Sequence, residues 1–404
     1  MIGTATIATA VVAALASLFM AWAIGAGSSG STPFAPAVGA NAISVMRAGL
    51  IVGILGFAGA VLQGQSVTEA VGSSLINGVS ISAMAATVGL LTAAILVALG
   101  VFKGYPIATA FTVTGAVVGV GLAMGGDPAW AKYQQIVTLW VLVPFVGGGI
   151  AYGTARLLRA DGVPEAYLVP ALGGLVGALV ANIEFALLGG GAGGSIASEL
   201  AGGVVQVASG GVAVAPRELL AVRGVVTLVL AGIVAAALYA DTQRDEDAAQ
   251  RRFLLALGGL VAFSAGGSQV GLAIGPLVPL LDTFESVPII ALLVGGGFGL
   301  LAGSWTGAPR MIKALAQDYS SLGPRRSIAA LIPSFAIAQA AVAFGIPVSF
   351  NEVIVSAIVG SGYAAGGAGV SREKMLFTVL AWIGSLALSL GVSYGAMVAV
   401  LSVT

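Results

Sequence analysis

The 404-residue chain contains no cysteine and no histidine, and only 8% of it is Asp, Glu, Lys or Arg. The missing cysteine excludes disulfides and thiolate chemistry. The missing histidine removes imidazole bases, and the two absences together take away the usual ligands of a zinc site. Lysine occurs only at Lys103, Lys132, Lys313 and Lys374, and the formal net charge is zero. The basic residues sit in loops between apolar stretches rather than in a patch with interleaved aromatics, so nucleic acid is not an expected partner. No Ser/His/Asp set can be assembled and no phosphate loop of the GxxxxGK[ST] kind is present. The chain therefore reads as no enzyme, with no cofactor and no metal.

What is there is apolar, with 58% hydrophobic residues. Apolar windows fall at 4–24, 43–63, 81–102, 135–157, 166–190, 218–240, 253–281, 287–304, 327–343 and 375–403, and glycine-rich segments near 104–121 and 345–363 are placed to span or re-enter. Most windows approach the length needed to cross about 30 Å of hydrocarbon, which predicts an all-α polytopic membrane protein with about 10–12 membrane segments, multi-pass in the cytoplasmic membrane. The first window lacks a basic leader and a clear A-x-A site, so it reads as a retained span.

Loop charge sets the orientation, because cytoplasmic loops hold the lysine and arginine excess. Arg156 and Arg159, then Arg244, Arg251 and Arg252, then Arg310, Lys313, Arg325 and Arg326 mark three inside loops; 64–80, 191–216 and 282–286 carry no basic residue and read as outside. The densest charge cluster, DTQRDEDAAQRR at 241–252, reads as a solvated cytoplasmic connector. It separates a first repeat, 1–240 with extra spans near 166–240, from a second, 253–404.

The halves match at one offset of 241 residues: Gly25 and Gly30 with Gly266 and Gly271, Gly104 and Pro106 with Gly345 and Pro347, and Ala116, Val118, Gly119 and Gly121 with Ala357, Val359, Gly360 and Gly362. This is an internal duplication. The span at 43–63 runs outward by the loop charges while its counterpart at 287–304 runs inward, so the repeats are inverted. Inverted repeats interrupted by Gly and Pro at matching places point to a secondary transporter with its site at the repeat interface. Isolated glycines serve helix packing, but four breaks paired by one offset favour a site.

Helix starts at those breaks would offer N–H groups with partial positive charge, suited to an anion. The first break, GAGSSGSTP, supplies Ser28, Ser29, Ser31 and Thr32; SAGGSQVG supplies Ser268 and Gln269; GYPIATAFT supplies Thr109 and Thr112; GIPVSFNEV supplies Ser349 and Asn351. None of these stretches contains lysine or arginine, and hydroxyl and amide donors without fixed charge suit a small tetrahedral oxyanion that must also be released. For any one serine, a structural cap serves equally well. Two carboxylates, Glu352 and Glu184, fall within apolar segments, where an ionisable residue is a functional candidate by default; Glu352 follows the donors directly and is a candidate for proton coupling.

These stretches resemble the inorganic phosphate transporter (PiT) family. FSAGGSQVGLAIGPL (263–277) is similar to the family's FAHGANDVANAIGPL, sharing Phe263, Gly266, Val270, Ala273, Ile274, Gly275, Pro276 and Leu277, and the segments at 104–123 and 345–362 resemble its PVSTTH regions. The resemblance implies transport of inorganic phosphate. It also has departures. Where the family carries Asn-Asp, this chain has Gly27 and Ser28 in the first motif and Ser268 and Gln269 in the second; the family aspartates are associated with sodium, so their loss argues against Na+ coupling and leaves H+ as the coupling ion. The family histidine is replaced by Phe111 and by Glu352. An aspartate-free GAGSSGS and a glutamate in SFNE are similar to the sulfate-permease branch, which keeps sulfate as the alternative substrate. A passive anion channel is the other reading, and the glycine-rich faces permit a homodimer.

Overall fold

The computed structural model describes residues 4–160, 162, 164–185, 188, 193–210, 215–284, 287–319, 321–367 and 370–403. In chain order the elements are α1 (Thr4–Gly27), α2 (Ala35–Gly39), α3 (Val45–Gln63), α4 (Gln65–Ser73), β1 (Ile76–Asn77), α5 (Ala83–Lys103), α6 (Thr109–Ala123), β2 (Asp127–Pro128) and α7 (Trp130–Leu157). There follow α8 (Glu165–Ala181), β3 (Glu184–Phe185), β4 (Gly194–Ser195), α9 (Ile196–Ala208) and α10 (Pro216–Thr242). The chain then forms α11 (Glu246–Ile274), a 3-10 segment (Gly275–Asp282), α12 (Ile289–Thr306), α13 (Ala308–Gln317), α14 (Pro324–Ala343), α15 (Phe350–Tyr363) and α16 (Arg372–Leu401). Two compact units result, one of Met1–Ala155 with Leu257–Thr404 and the other of Arg156–Ala256.

Among the described residues, α1, α3, α5, α7, α10, α11 with its 3-10 extension, α12, α14 and α16 are the nine helices long and apolar enough to cross a membrane. Large apolar side chains such as Leu15, Phe145 and Leu228 stay exposed on them, as lipid-facing positions require. This is an all-α polytopic membrane fold.

In the unit holding both chain ends, the matched Gly-x-Pro segments break the chain as expected. Gly104 ends α5 in the left-handed region at φ +73, and Gly345 follows α14 at φ +57; the proline two residues on cannot resume a helix at once. The chain continues extended, then starts α6 and α15. At 15 and 14 residues these helices are about 21–23 Å long, short of the hydrocarbon thickness.

The other two breaks differ from the sequence reading. GAGSSGS is not followed by a substantial helix: α1 ends at Gly27, the chain turns through Ser28–Phe34, and α2 has five residues. SAGGSQVGLAI is not a break at all, because α11 runs through it to Ile274. Its glycines serve close approach. A Cβ on Gly266 would lie 1.9 Å from the Gly56 oxygen, and one on Gly271 would meet the Thr68 nitrogen at 2.6 Å. The mean cost of glycine in a helix, about 1 kcal/mol, is outweighed here by the packing it permits.

Helix direction makes the duplication an inverted one. Gly297 of α12 abuts Phe57 and Ala60 of α3, while Gly53 abuts Trp305 and Ser304, so residue numbers run in opposite senses and the two helices are antiparallel. They are counterparts at the repeat offset. Meanwhile α12 lies parallel to α1, with Gly299 against Ala21 and Gly307 against Ala26, and α11 lies parallel to α3. Each half thus packs its first helix on the other half's second. As an expected result, Gly59→Ala, whose Cβ would sit 1.7 Å from the Phe263 oxygen, lowers the thermal midpoint in detergent by an overpacking cost of about 1–3 kcal/mol. Gly295→Ala, which has open space around it, should melt like the parent protein.

In the other unit, α8 packs on α10, and Asn182 joins them by donating to Thr227 Oγ1 (2.9 Å) and accepting from Arg223 Nε (2.9 Å). The charged connector is mostly helix. Asp245 Oδ1 accepts the Ala248 N–H (3.0 Å) and Glu246 and Asp247 occupy the first turn of α11, an arrangement that complements the helix dipole. Arg252 then grips Asp241 through Nε and Nη2 at 2.8 and 2.6 Å. The expected outside loops at 191–216 and 282–286 lie partly outside the described residues.

Candidate functional site

The chain segments singled out by the repeat converge. Ser28 in the turn after α1 donates to Gln269 Oε1 on α11 at 3.0 Å, and Thr109, the first residue of α6, donates to the same oxygen at 2.9 Å. Thr109 and Ser28 lie 3.4 Å apart. Ser28 and Gln269 are 241 residues apart, so equivalent positions of the two halves touch each other, as they do only next to a two-fold axis. Gln269 Nε2 donates to Val348 O, just before α15, at 2.5 Å. Asn351, in the first turn of α15, donates its Nδ2 to Gly27 O at 2.8 Å and to Ile107 O at 2.7 Å.

All of this is sealed. Ser28, Ser31, Thr109, Thr112, Ser268, Gln269, Ser349 and Asn351 have no exposed surface, and Ser29 and Glu352 only 2%. Not every hydroxyl points its hydrogen at the centre. Thr112 donates to Ala108 O (2.9 Å), Ser31 and Thr32 to Ser28 O (3.1 and 3.0 Å), and Ser268 at most weakly to Ala265 O (3.5 Å). Those bonds finish local turns.

Three polar atoms in four consecutive positions have no hydrogen-bond partner among the described residues: Ser349 Oγ, Asn351 Oδ1 and Glu352 Oε2. Buried polar atoms are nearly always paired, and one left alone asks for an explanation. Here they ring the start of α15, whose first-turn N–H groups have no side-chain cap; α6 begins after Ala108, which has none to give. The cluster therefore presents hydroxyls, which donate or accept, and backbone N–H groups, which donate, beside one carboxylate. It can surround a small anion without a fixed positive charge. Among the described residues no group of three or more Asp, Glu, His or Cys could hold a metal ion.

Two indoles hold the extended segments. Trp140 Nε1 of α7 donates to Pro347 O at 3.1 Å, and Trp382 Nε1 of α16 donates to Pro106 O at 2.8 Å. Each half's long helix thus ties down the break of the other half. Sequence reasoning missed both, although a tryptophan follows each break proline by 34 or 35 residues. Trp140 also stacks on Phe111, with centroids 3.8 Å apart and planes at 19°. Phe111 is the repeat counterpart of Glu352, so one half closes this place with an aromatic ring and the other with a carboxylate. Glu184 is not part of this assembly; it is exposed in β3, paired with β4 in the other unit.

Known proteins give the same direction. A family model described as the phosphate transporter family matches residues 24–393. A relative from Pyrococcus horikoshii, provisionally named a phosphate permease, is 26% identical over 386 residues, covering 90% of each chain. The inorganic phosphate transporter 2-1, chloroplastic, of Arabidopsis thaliana is 24% identical over 90% of this chain and 68% of its own length. A solved structure described as the sodium-dependent phosphate transporter superposes with a TM-score of 0.78 at 22% identity, covering 98% of this chain and 99% of the other. That degree of likeness speaks for the fold.

Proposed function

The chain belongs to the phosphate transporter family, and on that premise we propose that it is a secondary carrier moving inorganic phosphate across the cell membrane. The observation that carries this reading is the buried donor set contributed by both halves at their pseudo-two-fold axis, with the Ser349 hydroxyl left unpaired beside it and Asn351 Oδ1 placed to accept from a protonated oxygen of the anion. Inverted-repeat carriers place their substrate at that interface, where either half can open. Ser28, Ser29, Ser31, Thr109, Thr112, Ser268, Gln269, Ser349 and Asn351 form the lining of the proposed substrate site; the hydroxyls of Ser28, Thr109 and Ser349 are its donors, whereas those of Ser31 and Thr112 are held by local turns. Sulfate suits the hydroxyl donors too, but the family description and the named relatives speak of phosphate.

Glu352 is the proton-carrying group of this proposal. Its Oε2 has no partner among the described residues, lies in the same helix turn as the donors, and can hold a proton in transit or accept one from a protonated phosphate oxygen. The test is uptake of labelled phosphate into proteoliposomes. Saturable uptake with counterflow, driven by an inward proton gradient and weakly inhibited by sulfate, is expected. Ohmic phosphate currents would replace the carrier by a pore.

A further inference from the structure

The structural relative is described as sodium-dependent, and the donor chemistry of this chain's site can be tested against a sodium ion. Carriers of this architecture hold their coupling cation on unwound backbone carbonyls and on the carboxyl ends of broken helices. Three oxygens of this kind lie around the two central carboxamides: Gly27 O at the end of α1, and Ile107 O and Val348 O in the extended stretches before α6 and α15. Every one is already taken by a carboxamide. Asn351 Nδ2 spends its two hydrogens on Gly27 O (2.8 Å) and Ile107 O (2.7 Å), and Gln269 Nε2 donates to Val348 O (2.5 Å). Ile107 and Val348 are themselves repeat counterparts, 241 residues apart. The counterpart carbonyls of the two halves are therefore satisfied by the same chemical device, a carboxamide of the second half in each case.

An –NH2 group seated between two carbonyl oxygens occupies the volume a small cation would need and presents the partial positive charge the oxygens call for. Unlike a cation it carries no net charge and does not dissociate. The charge balance agrees. Within 24–36, 104–112, 263–277 and 345–352 the only carboxylate is Glu352. A hard cation between Gly27 O and Ile107 O would have at most this one carboxylate to draw on.

We infer that Asn351 and Gln269 stand permanently in the places of a coupling sodium, so that the carrier is sodium-independent. The inference rests on the transport reading of the site and is tested apart from it.

Purified protein in proteoliposomes is assayed for labelled phosphate uptake in sodium and in choline media, and its thermal unfolding is followed over a sodium titration. Uptake that differs by less than about twofold between media and an unfolding midpoint that sodium does not move are expected, because a ligand of the native state must raise its stability. A sodium requirement of about tenfold or more, or a rising midpoint, would overturn the inference while leaving the carrier intact. Uptake absent in both media defeats the transport reading, and the midpoint still decides the sodium question. In a second arm, Asn351→Asp puts a carboxylate against Gly27 O and Ile107 O and recreates a cation place. Its uptake in choline should fall by about tenfold or more and recover in sodium, with a midpoint that sodium now raises. If the variant responds to sodium in neither assay, the carboxamide does not mark a cation position. If it does not fold in choline, purification in sodium versus choline gives the same answer.

Discussion

Glu352→Gln is expected to retain phosphate counterflow and to lose accumulation driven by a proton gradient, by at least about tenfold. The two activities separate because they ask different things of the side chain. Exchange of one phosphate for another needs only the donors and the two-sided opening; uphill accumulation needs a group that loads and unloads a proton in each cycle. Glutamine keeps the volume of the buried side chain and breaks no hydrogen bond at Oε2, which has none among the described residues, so the variant should fold. The counterpart position explains why one residue suffices. Phe111, locked in its stack on Trp140, cannot titrate, so the proton-linked step belongs to one half of the pseudo-symmetric pair. Gradient-driven accumulation at the parent level in Glu352→Gln would remove Glu352 from coupling. Loss of counterflow as well would make it a binding residue instead.

How much of this was legible in the sequence depends on the kind of signal. The 241-residue offset could be read from a few glycines and prolines, because a left-handed Gly followed by Pro stops a helix whatever surrounds it. Gly104 and Gly345 accordingly fall where the chain breaks, and α6 and α15 start just beyond them. The glycines of SAGGSQVG gave the opposite outcome. In one dimension a packing glycine and a helix-breaking glycine look the same, and only the approach of Gly56 and Thr68 shows that Gly266 and Gly271 are of the first kind. Ser28 and Gln269 were both singled out, yet their direct bond follows from an axis the sequence cannot locate. Trp140 and Trp382 were invisible as site residues because each lies within an apolar span. The N–H that matters there is defined by an acceptor more than 200 residues away. Glu184 was drawn in by its apolar neighbours, which say nothing of the turn that exposes it.

The second large effect concerns the residue that ties both halves together. Gln269→Leu replaces a fully buried carboxamide by an apolar side chain of similar size, and three groups lose their partner at once: the hydroxyls of Ser28 and Thr109 and the carbonyl of Val348. The 3.4 Å contact between Thr109 and Ser28 lets one hydroxyl turn to the other, so two groups stay unpaired. At about 1–3 kcal/mol for each buried orphan the expected loss is about 2–6 kcal/mol, a large part of a membrane protein's margin. Ser28→Ala provides the contrast. It removes one donor and leaves Gln269 Oε1 bonded to Thr109, so only a net hydrogen bond of about 0.5–1.5 kcal/mol is lost. Thermal unfolding in detergent should therefore rank Gln269→Leu well below Ser28→Ala, and Ser28→Ala slightly below the parent. Equal midpoints for the two variants would mean that the hydroxyls find other partners and that Gln269 does not hold the halves at their axis. With the expected ranking, the residue that substitutes for a cation is also the one whose bonds close the site, so an anion entering it must compete with Gln269 for the hydroxyls of Ser28 and Thr109. Phosphate supplies acceptor oxygens of greater charge than a carboxamide, so it can take both hydroxyls. On the carrier proposal, its binding and the loosening of the repeat interface are one event.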